Sequence, residues 1–204
     1  NWYFKKAKIL TTILRLIPWI KLVGISGGLA MDNASKKDDI DLFLITERKR
    51  LWIARLLAII LLSLTGQRRK VSDDGTKIAG KLCLNILLED GSLEQMNKDI
   101  YLAHEVLQMK VLWQRQGIYS KYLADNEWVF NFLPNWIANT RLKNIHKSLI
   151  VNHKSILDQI EKLAKWYQLK IMSKPKGMER IEDGALYFHP QDCRQKVLAQ
   201  YRNM

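Results

Sequence analysis

The sequence predicts an α/β fold of the α+β type, in which a small mixed sheet is flanked by helices and followed by a helical C-terminal extension. Short apolar runs at residues 20–26, 39–46 and 81–88 have the length and composition of buried strands, whereas residues 47–66 form one apolar run of helical length. After residue 95, apolar residues recur at helical spacing instead. This order, with strands and one long helix first and further helices afterwards, favours a sheet core with a helical appendage.

A helix is predicted before the sheet, at residues 3–16. It ends before Pro18, because proline cannot donate the next backbone hydrogen bond of a helix. Residues 20–26 form the first strand, and residues 27–33 form a short helix that opens on two glycines. A polar loop at residues 33–38 separates this helix from the next strand.

The second strand, the long helix and a third strand complete the predicted core. Residues 39–46 form the second strand, and the long apolar helix starts directly after it and ends near Gly66. Residues 67–80 are rich in charged residues and glycine, so we predict a basic loop there. Residues 81–88 form the third strand.

The second half of the chain has helical spacing at residues 99–113, 117–132 and 137–171. The tail from Ser173 is rich in lysine, proline, glycine and aspartate, so we expect an extended segment with a last helix near residues 191–201. The candidate inner positions of the helices at 137–171 are Ile145, Leu149, Ile156, Ile160, Leu163 and Trp166.

These elements divide the chain into an N-terminal helix at residues 1–17, a core at 18–95, and a helical extension with a tail at 96–204. The most apolar run, Leu51–Leu64, is shorter than the roughly 20 residues that span a bilayer, and Arg55 interrupts it. We therefore predict no integral membrane span. A helix that lies on a membrane surface is the alternative for this run.

Charge and cysteine content restrict the partners and the compartment. The formal net charge of +13 over 204 residues favours anionic partners such as nucleotides, nucleic acid or an anionic membrane, although it also serves solubility. The two cysteines, Cys83 and Cys193, have no paired or zinc-binding spacing. Cys83 lies in an apolar strand, where we expect a buried thiol, and a reduced, cytoplasmic compartment fits both residues.

Asp39 and Asp41 are the strongest candidate site residues. Because strand residues alternate sides, the two carboxylates project from the same face and repel each other beside apolar neighbours. A divalent cation relieves that repulsion, and Mg²⁺ prefers carboxylate and phosphate oxygens. The alternative is a structural role, in which both acids pair with Lys36, Lys37 or Arg48.

The turn Ser26-Gly27-Gly28 supplies a second candidate feature. Glycine has no Cβ, so the backbone of this turn can approach a triphosphate closely. The alternative is that the glycines only allow a tight turn between strand and helix.

The glycine pair Gly27-Gly28, a spacer and Asp39-Ile40-Asp41 between apolar flanks together resemble the signature of the nucleotidyltransferase superfamily, which includes DNA polymerase beta. The resemblance implies the nucleotidyltransferase fold and a transferase that moves a nucleoside monophosphate from an NTP such as ATP to an acceptor hydroxyl, with release of pyrophosphate. It also implies that Asp39 and Asp41 are catalytic and bind Mg²⁺ or Mn²⁺. The acceptor stays open among RNA, a protein side chain and a small molecule.

One departure from the superfamily pattern concerns a third carboxylate. Polymerase-like members place another acid on a later strand, and the residue in the matching place here is Asn85, which we include with Ser26, Gly27 and Gly28 as nucleotide-binding. An amide is not a general base. Glu89 or Asp73 is the candidate substitute.

A catalytically weak or inactive module that binds nucleotide or nucleic acid is therefore the alternative function. A basic cluster around the third strand fits either reading, as contacts to a triphosphate or to a polynucleotide backbone, or simply as a solvated loop. The cluster consists of Arg68, Arg69, Lys70, Lys77 and Lys81.

Overall fold

The computed structural model describes residues 2–70, 73, 75–139, 156–172, 178–189, 194 and 197–199. The strands are β1 (Ile20–Ile25), β2 (Ile40–Thr46), β3 (Leu82–Glu89), β4 (Lys110–Gln114), β5 (Met178–Glu182) and β6 (Ala185–His189). The α-helices are α1 (Trp2–Leu10), α2 (Gly27–Ala30), α3 (Leu51–Leu64), α4 (Ile100–Gln108), α5 (Ile118–Asp125) and α6 (Ile156–Ile171). The 3₁₀ helices are Thr11–Leu16, Gly75–Ile78, Glu127–Asn131 and Pro134–Asn139.

The six strands form one mixed sheet in the order β4-β1-β2-β3-β6-β5, which confirms the predicted α/β class. Strands β2 and β3 are parallel, and every other neighbouring pair is antiparallel. The parallel pair is joined through α3, because a parallel connection must cross back along the sheet and a helix covers that distance. The centre of the sheet is therefore the β1-β2-β3 unit that carries the predicted site.

Two apolar clusters pack on opposite faces of the sheet. The first cluster joins one face to α1 and α3, and Leu42 and Leu44 of β2 belong to it. The second cluster joins the other face to α4 and α5, and Phe43 and Ile45 of β2 belong to it. Because strand residues alternate, the side chain of Asp41 lies on the face of the second cluster.

The core elements form as predicted, whereas the second half of the chain contributes more strand than expected. The predicted helix at 99–113 is wrong beyond Gln108, because β4 pairs with the free edge of β1. The segment expected to be an extended tail contains the hairpin β5-β6, whose strands extend the sheet from β3. Strands from both sides of residue 95 thus share one sheet, and the predicted domain division stays a prediction. Of the predicted last helix, 197–199 is helical and most of the rest lies outside the described residues.

The inner positions predicted for the last long helix are wrong where they are described. Ile156, Ile160, Leu163 and Trp166 are exposed, and Ile145 and Leu149 lie outside the described residues. The buried residues of α6 are Glu161, Ala164 and Gln168, two of which are polar. The carboxylate of Glu161 accepts hydrogen bonds from the backbone N–H groups of Trp52 (2.7 Å) and Ile53 (2.9 Å), in the first turn of α3. These donors have no partner within their own helix, so a buried carboxylate replaces the apolar contact that periodicity predicts.

The prediction about membrane spans is also met. Among the helices of the described residues, none has both the length and the apolar content needed to cross a bilayer.

Candidate metal and nucleotide site

The site lies where β2 begins. Asp39 directly precedes this strand and Asp41 is its second residue, so the alternation of strand residues brings both carboxylates to one face. A third side chain joins them from β3. One ligand atom each of Asp39, Asp41 and Cys83 lie within 4.8 Å of one another. The structure therefore brings the two predicted acids together, with a thiol as their nearest potential co-ligand on β3.

The register between β2 and β3 explains why Cys83, rather than Asn85, lies beside the pair. Cys83 is directly opposite Asp41 in the parallel ladder. The pairing then shifts by one residue, because Leu42 is opposite Leu84 whereas Phe43 is opposite Ile86. Asn85 is the extra residue of this bulge. It is buried, and its Oδ1 has no hydrogen-bond partner among the described residues.

Burial and like charges dominate the electrostatics of the pair. Burial of the carboxyl, together with the neighbouring Asp39 and Glu105 carboxyls, raises the pKa of Asp41 to about 7. Glu105 comes from α4, and burial also raises its own pKa. The Arg69 guanidinium lowers the pKa of Asp41 only in part. A cation bound here would remove the repulsion that keeps a proton on Asp41.

The thiol of Cys83 experiences the same environment. Burial raises the pKa of Cys83 to about 12, and the charges of Asp41 and Asp39 contribute to the increase. In the absence of a cation the group is therefore a neutral thiol.

Arg69 is the ion-pair partner of Asp39 in this structure. Its guanidinium forms an ion pair with Asp39 Oδ2 at 2.6 Å, and its backbone N–H donates to the carbonyl of Leu82 at 2.8 Å. The partner of Asp39 is thus Arg69, and not the Lys36, Lys37 or Arg48 of the structural alternative.

The two acids predicted as substitutes for the third carboxylate lie elsewhere. Asp73 accepts hydrogen bonds from the Lys81 ammonium group at 2.9 Å and from the backbone N–H of Lys70 at 2.8 Å. Glu89 is the last residue of β3, at the opposite end of that strand from Cys83. Neither belongs to the group of ligand atoms around Asp41.

The glycine turn packs directly against Asp41. Gly27 has φ +63°, and a Cβ added there would lie 2.7 Å from Asp41 Oδ2. Gly28 is less restricted, since the nearest atom to an added Cβ is 3.8 Å away. The backbone N–H of Ser26 donates to the carbonyl of Asp41 at 3.0 Å, while the buried Ser26 Oγ has no partner among the described residues. The turn therefore needs glycine at position 27 because the carboxylate is so close.

Asp38 lies outside this group of ligands. Its carboxylate accepts a hydrogen bond from the backbone N–H of Ser35 at 2.8 Å and so caps the preceding loop.

The sequence analysis missed two residues of the site. Cys83 was treated as a buried thiol, and Glu105 was not singled out. The only sequence signal for Cys83 is its place in the predicted strand that follows the strand with Asp39 and Asp41. Without the register between these two strands, that signal does not show which residue lies opposite Asp41. Glu105 reaches the site through the packing of α4 on the sheet, for which the sequence gives no local signal.

A groove of about 430 Å³ lies elsewhere, and none of the predicted site residues line it. Its lining includes Glu94, Asp125, Glu182 and Asp183 beside Tyr187. Such an acidic lining disfavours an anionic ligand like a triphosphate.

Comparisons with known proteins assign neither a family nor a function to the chain. No protein-family model matches the chain, and no curated protein matches it significantly. One solved structure, described as "Crystal structure of the toxin-antitoxin with AMP-PNP", is 19% identical and covers 65% of this chain and 94% of its own, with a TM-score of 0.35. A likeness this weak carries no argument about function.

Proposed function

We propose that this protein is a metal-dependent nucleotidyltransferase, which moves a nucleoside monophosphate from an NTP to an acceptor hydroxyl and releases pyrophosphate. The observation that carries the proposal is the contact between Gly27 of the glycine turn and Asp41 of the carboxylate pair. The backbone of Gly27 lies so near Asp41 that a single added carbon would be 2.7 Å from Oδ2. A phosphate that lies along this turn would thus also lie beside the two carboxylates.

Asp39 and Asp41 are the residues that would hold the cation, Mg²⁺ or Mn²⁺. Bound between carboxylates and phosphates, such a cation neutralises the charge of the triphosphate and activates the attacking hydroxyl. The chain meets two requirements for this. The raised pKa of Asp41 reflects burial first and the neighbouring negative carboxyls second, and the buried oxygens of Ser26 and Asn85 have no partner among the described residues.

The protein itself supplies orientation. The N–H groups of the turn after Ser26 would face the phosphates, and Gly27 keeps the backbone close to Asp41. Arg69 is available as a phosphate contact once a cation replaces it at Asp39, because its guanidinium already lies within 2.6 Å of that carboxylate. Fixed groups of this kind accelerate transfer by positioning and by stabilising the developing charge.

A nucleotide-binding module without turnover is the second candidate, and one observation favours it. The β3 residue opposite Asp41 is Cys83, and Asn85 stands where the superfamily pattern has a third acid. After Asp39, the carboxyl that most raises the pKa of Asp41 is Glu105 on α4. The acceptor remains open among RNA, protein and small molecules, and the net charge of +13 favours a nucleic acid.

Calorimetric titration of NTPs into the wild type and the Asp39→Asn/Asp41→Asn double variant, with Mg²⁺ or Mn²⁺ present, tests the proposal. We expect the double variant to lose about tenfold or more in affinity, because it removes both charged ligands of the cation. Asp38→Asn is the matched control. It changes a neighbouring carboxyl that caps Ser35, and an asparagine can keep that cap. Equal NTP affinity in the double variant and the wild type would contradict the proposal.

A further inference from the structure

Three polar side chains form a row across the three central strands. Ile25 is paired with Leu42 in the antiparallel ladder, so the next pair is Ser26 and Asp41, and the backbone N–H of Ser26 donates to the carbonyl of Asp41. Asp41 is in turn opposite Cys83 in the parallel ladder. Residues paired across strands lie on the same face of a sheet. The Ser26 hydroxyl, the Asp41 carboxylate and the Cys83 thiol are therefore adjacent on one face.

The spacing of the ligand atoms fits a cation held by two oxygens and one sulfur. The ligand atoms of Asp39, Asp41 and Cys83 lie within 4.8 Å of one another. Metal–oxygen bonds of about 2.1 Å and metal–sulfur bonds of about 2.3 Å in a tetrahedral site place such atoms about 3.6 Å apart. A contraction on the order of 1 Å, within the reach of side-chain rotations, would close the site.

The neighbouring orphan oxygens are an independent indication of a ligand. Ser26 is 4% exposed and Asn85 is 5% exposed, and Ser26 Oγ and Asn85 Oδ1 lack partners among the described residues. Buried polar groups are normally hydrogen-bonded, so such groups call for a water molecule or an ion. Ser26 borders the row directly, and Asn85 follows Cys83 by two positions on β3.

We propose that Cys83 is the third protein ligand of the cation, bound as a thiolate, and that the site therefore selects a zinc-like or cobalt-like divalent ion over Mg²⁺. This inference rests on the proposed function, whose cation site it specifies. Thiolate sulfur is a soft ligand that favours Zn²⁺ and its neighbours, whereas Mg²⁺ demands oxygen.

Binding involves a defined exchange of bonds. The Cys83 S–H bond breaks and its proton passes to solvent, together with any proton on the Asp41 carboxyl, and a sulfur–metal bond forms as a water leaves the ion. The ion pair between Arg69 and Asp39 breaks in the same process, because both Arg69 and the cation require the Asp39 carboxylate. Two positive charges of the ion then offset the two carboxylates that disfavour a thiolate in its absence.

Cobalt spectroscopy tests the inference without using activity. Co²⁺ is titrated into metal-free full-length protein, and the visible d–d bands report binding while a near-ultraviolet charge-transfer band reports a thiolate ligand. The wild type should show both. Cys83→Ser, which is nearly isosteric, should lose the charge-transfer band and bind Co²⁺ about tenfold or more weakly. Cys193→Ser, which changes the other cysteine of the chain, should keep the band.

Competition and a second variant complete the test. Zn²⁺ should displace Co²⁺ from the wild type at far lower concentration than Mg²⁺, and Cys83→Asp should reduce that preference about tenfold or more because it restores an oxygen ligand. Visible bands without a charge-transfer band in the wild type would overturn the role of Cys83 and leave the carboxylate site intact. The role of Cys83 would also be overturned if the charge-transfer band persisted in both Cys83 variants, or if it were lost in Cys193→Ser. Absence of any Co²⁺ binding by the wild type would overturn this inference and the proposed cation site together.

Discussion

Replacing Asp41 by asparagine should stabilise the metal-free protein, and increasingly so as the pH rises. The folded-state pKa of about 7 lies above the ordinary value of 3.8, so the folded protein retains a proton that the unfolded chain releases. Retaining this proton contributes stability that is fully present below the pKa of Asp41 in the unfolded chain. That contribution is lost as the pH rises through the pKa of Asp41 in the folded protein. Asparagine removes this dependence, because it is neutral in both states.

The two pKa values set the size of the effect. The interval between 3.8 and about 7 corresponds to at most on the order of 4 kcal/mol at pH 8, and to about 2 kcal/mol at pH 5. Solvent-denaturation curves of the wild type and Asp41→Asn, measured at both pH values with EDTA present, would give the difference directly. Asp38→Asn is the control, and we expect it to change the free energy of unfolding by less than about 0.5 kcal/mol at either pH.

A divalent cation should reduce the stability advantage of Asp41→Asn at pH 8. Added at 100 times its dissociation constant, Mn²⁺ stabilises a protein that binds it by about 2.7 kcal/mol, and this gain should be much smaller in Asp41→Asn. The reasoning would be refuted if metal-free Asp41→Asn were less stable than the wild type at pH 8, or if its stability relative to wild type did not change between pH 5 and 8.

Three further substitutions test separate contacts. Gly27→Ala should lower the free energy of unfolding by about 1–3 kcal/mol and weaken NTP binding, because φ is +63° and Asp41 Oδ2 would be 2.7 Å from the new carbon. Gly28→Ala is the control, and it should have the smaller effect in both urea denaturation and NTP titration. Glu161→Gln should cost about 1–3 kcal/mol in urea denaturation, since its carboxylate accepts two backbone hydrogen bonds of α3. Arg69→Ala should strengthen cation binding and weaken NTP binding in calorimetry, because Arg69 occupies Asp39 at 2.6 Å until a cation binds.

Each of these has an outcome that contradicts it. Equal effects of alanine at positions 27 and 28 would mean that the contact with Asp41 is unimportant. A loss at Glu161 no larger than that of Glu94→Gln, whose carboxylate is in an exposed pair with Lys98, would contradict the buried cap. Unchanged cation and NTP affinities in Arg69→Ala would contradict the exchange of partners at Asp39.

The central strands could be predicted because their signals are local. The apolar runs of β1 and β2 are bounded by the glycine turn and by a polar loop, and these features fix where each strand starts and ends. The alternation of Asp39 and Asp41 within β2 then places both carboxylates on one face whatever the rest of the fold does. The carboxylate pair and the glycine turn could therefore be predicted from the sequence.

The register of β3 could not be predicted from the sequence. Its residues are apolar on both faces, so alternation does not reveal the bulge that removes Asn85 from the ladder and leaves Cys83 opposite Asp41. Strand β4 was missed because Lys110–Gln114 continues the apolar spacing of α4, and its extended conformation comes from pairing with β1, which is distant in sequence.

The hairpin β5-β6, unlike β4, has a local signal in the sequence that predicts it. Asp183-Gly184 is a strong two-residue hairpin signal between Met178–Glu182 and the more apolar Ala185–His189, and Gly184 has φ +75°. The buried polar residues of α6 had no such signal, because Glu161 is buried only through its bonds to the first turn of α3.

The most direct measurement for the central claim is transfer of label from α-labelled NTPs. Each common NTP would be supplied with Mg²⁺, Mn²⁺, Co²⁺ or Zn²⁺ and with total cellular RNA and protein as acceptors, and Asp39→Asn/Asp41→Asn would run beside the wild type and Asp38→Asn. The account predicts label on a macromolecule, or on a small acceptor, together with release of pyrophosphate in the wild type and in Asp38→Asn only. Transfer that survives in the double variant would contradict it, and NTP binding without transfer in the wild type would establish the binding module instead.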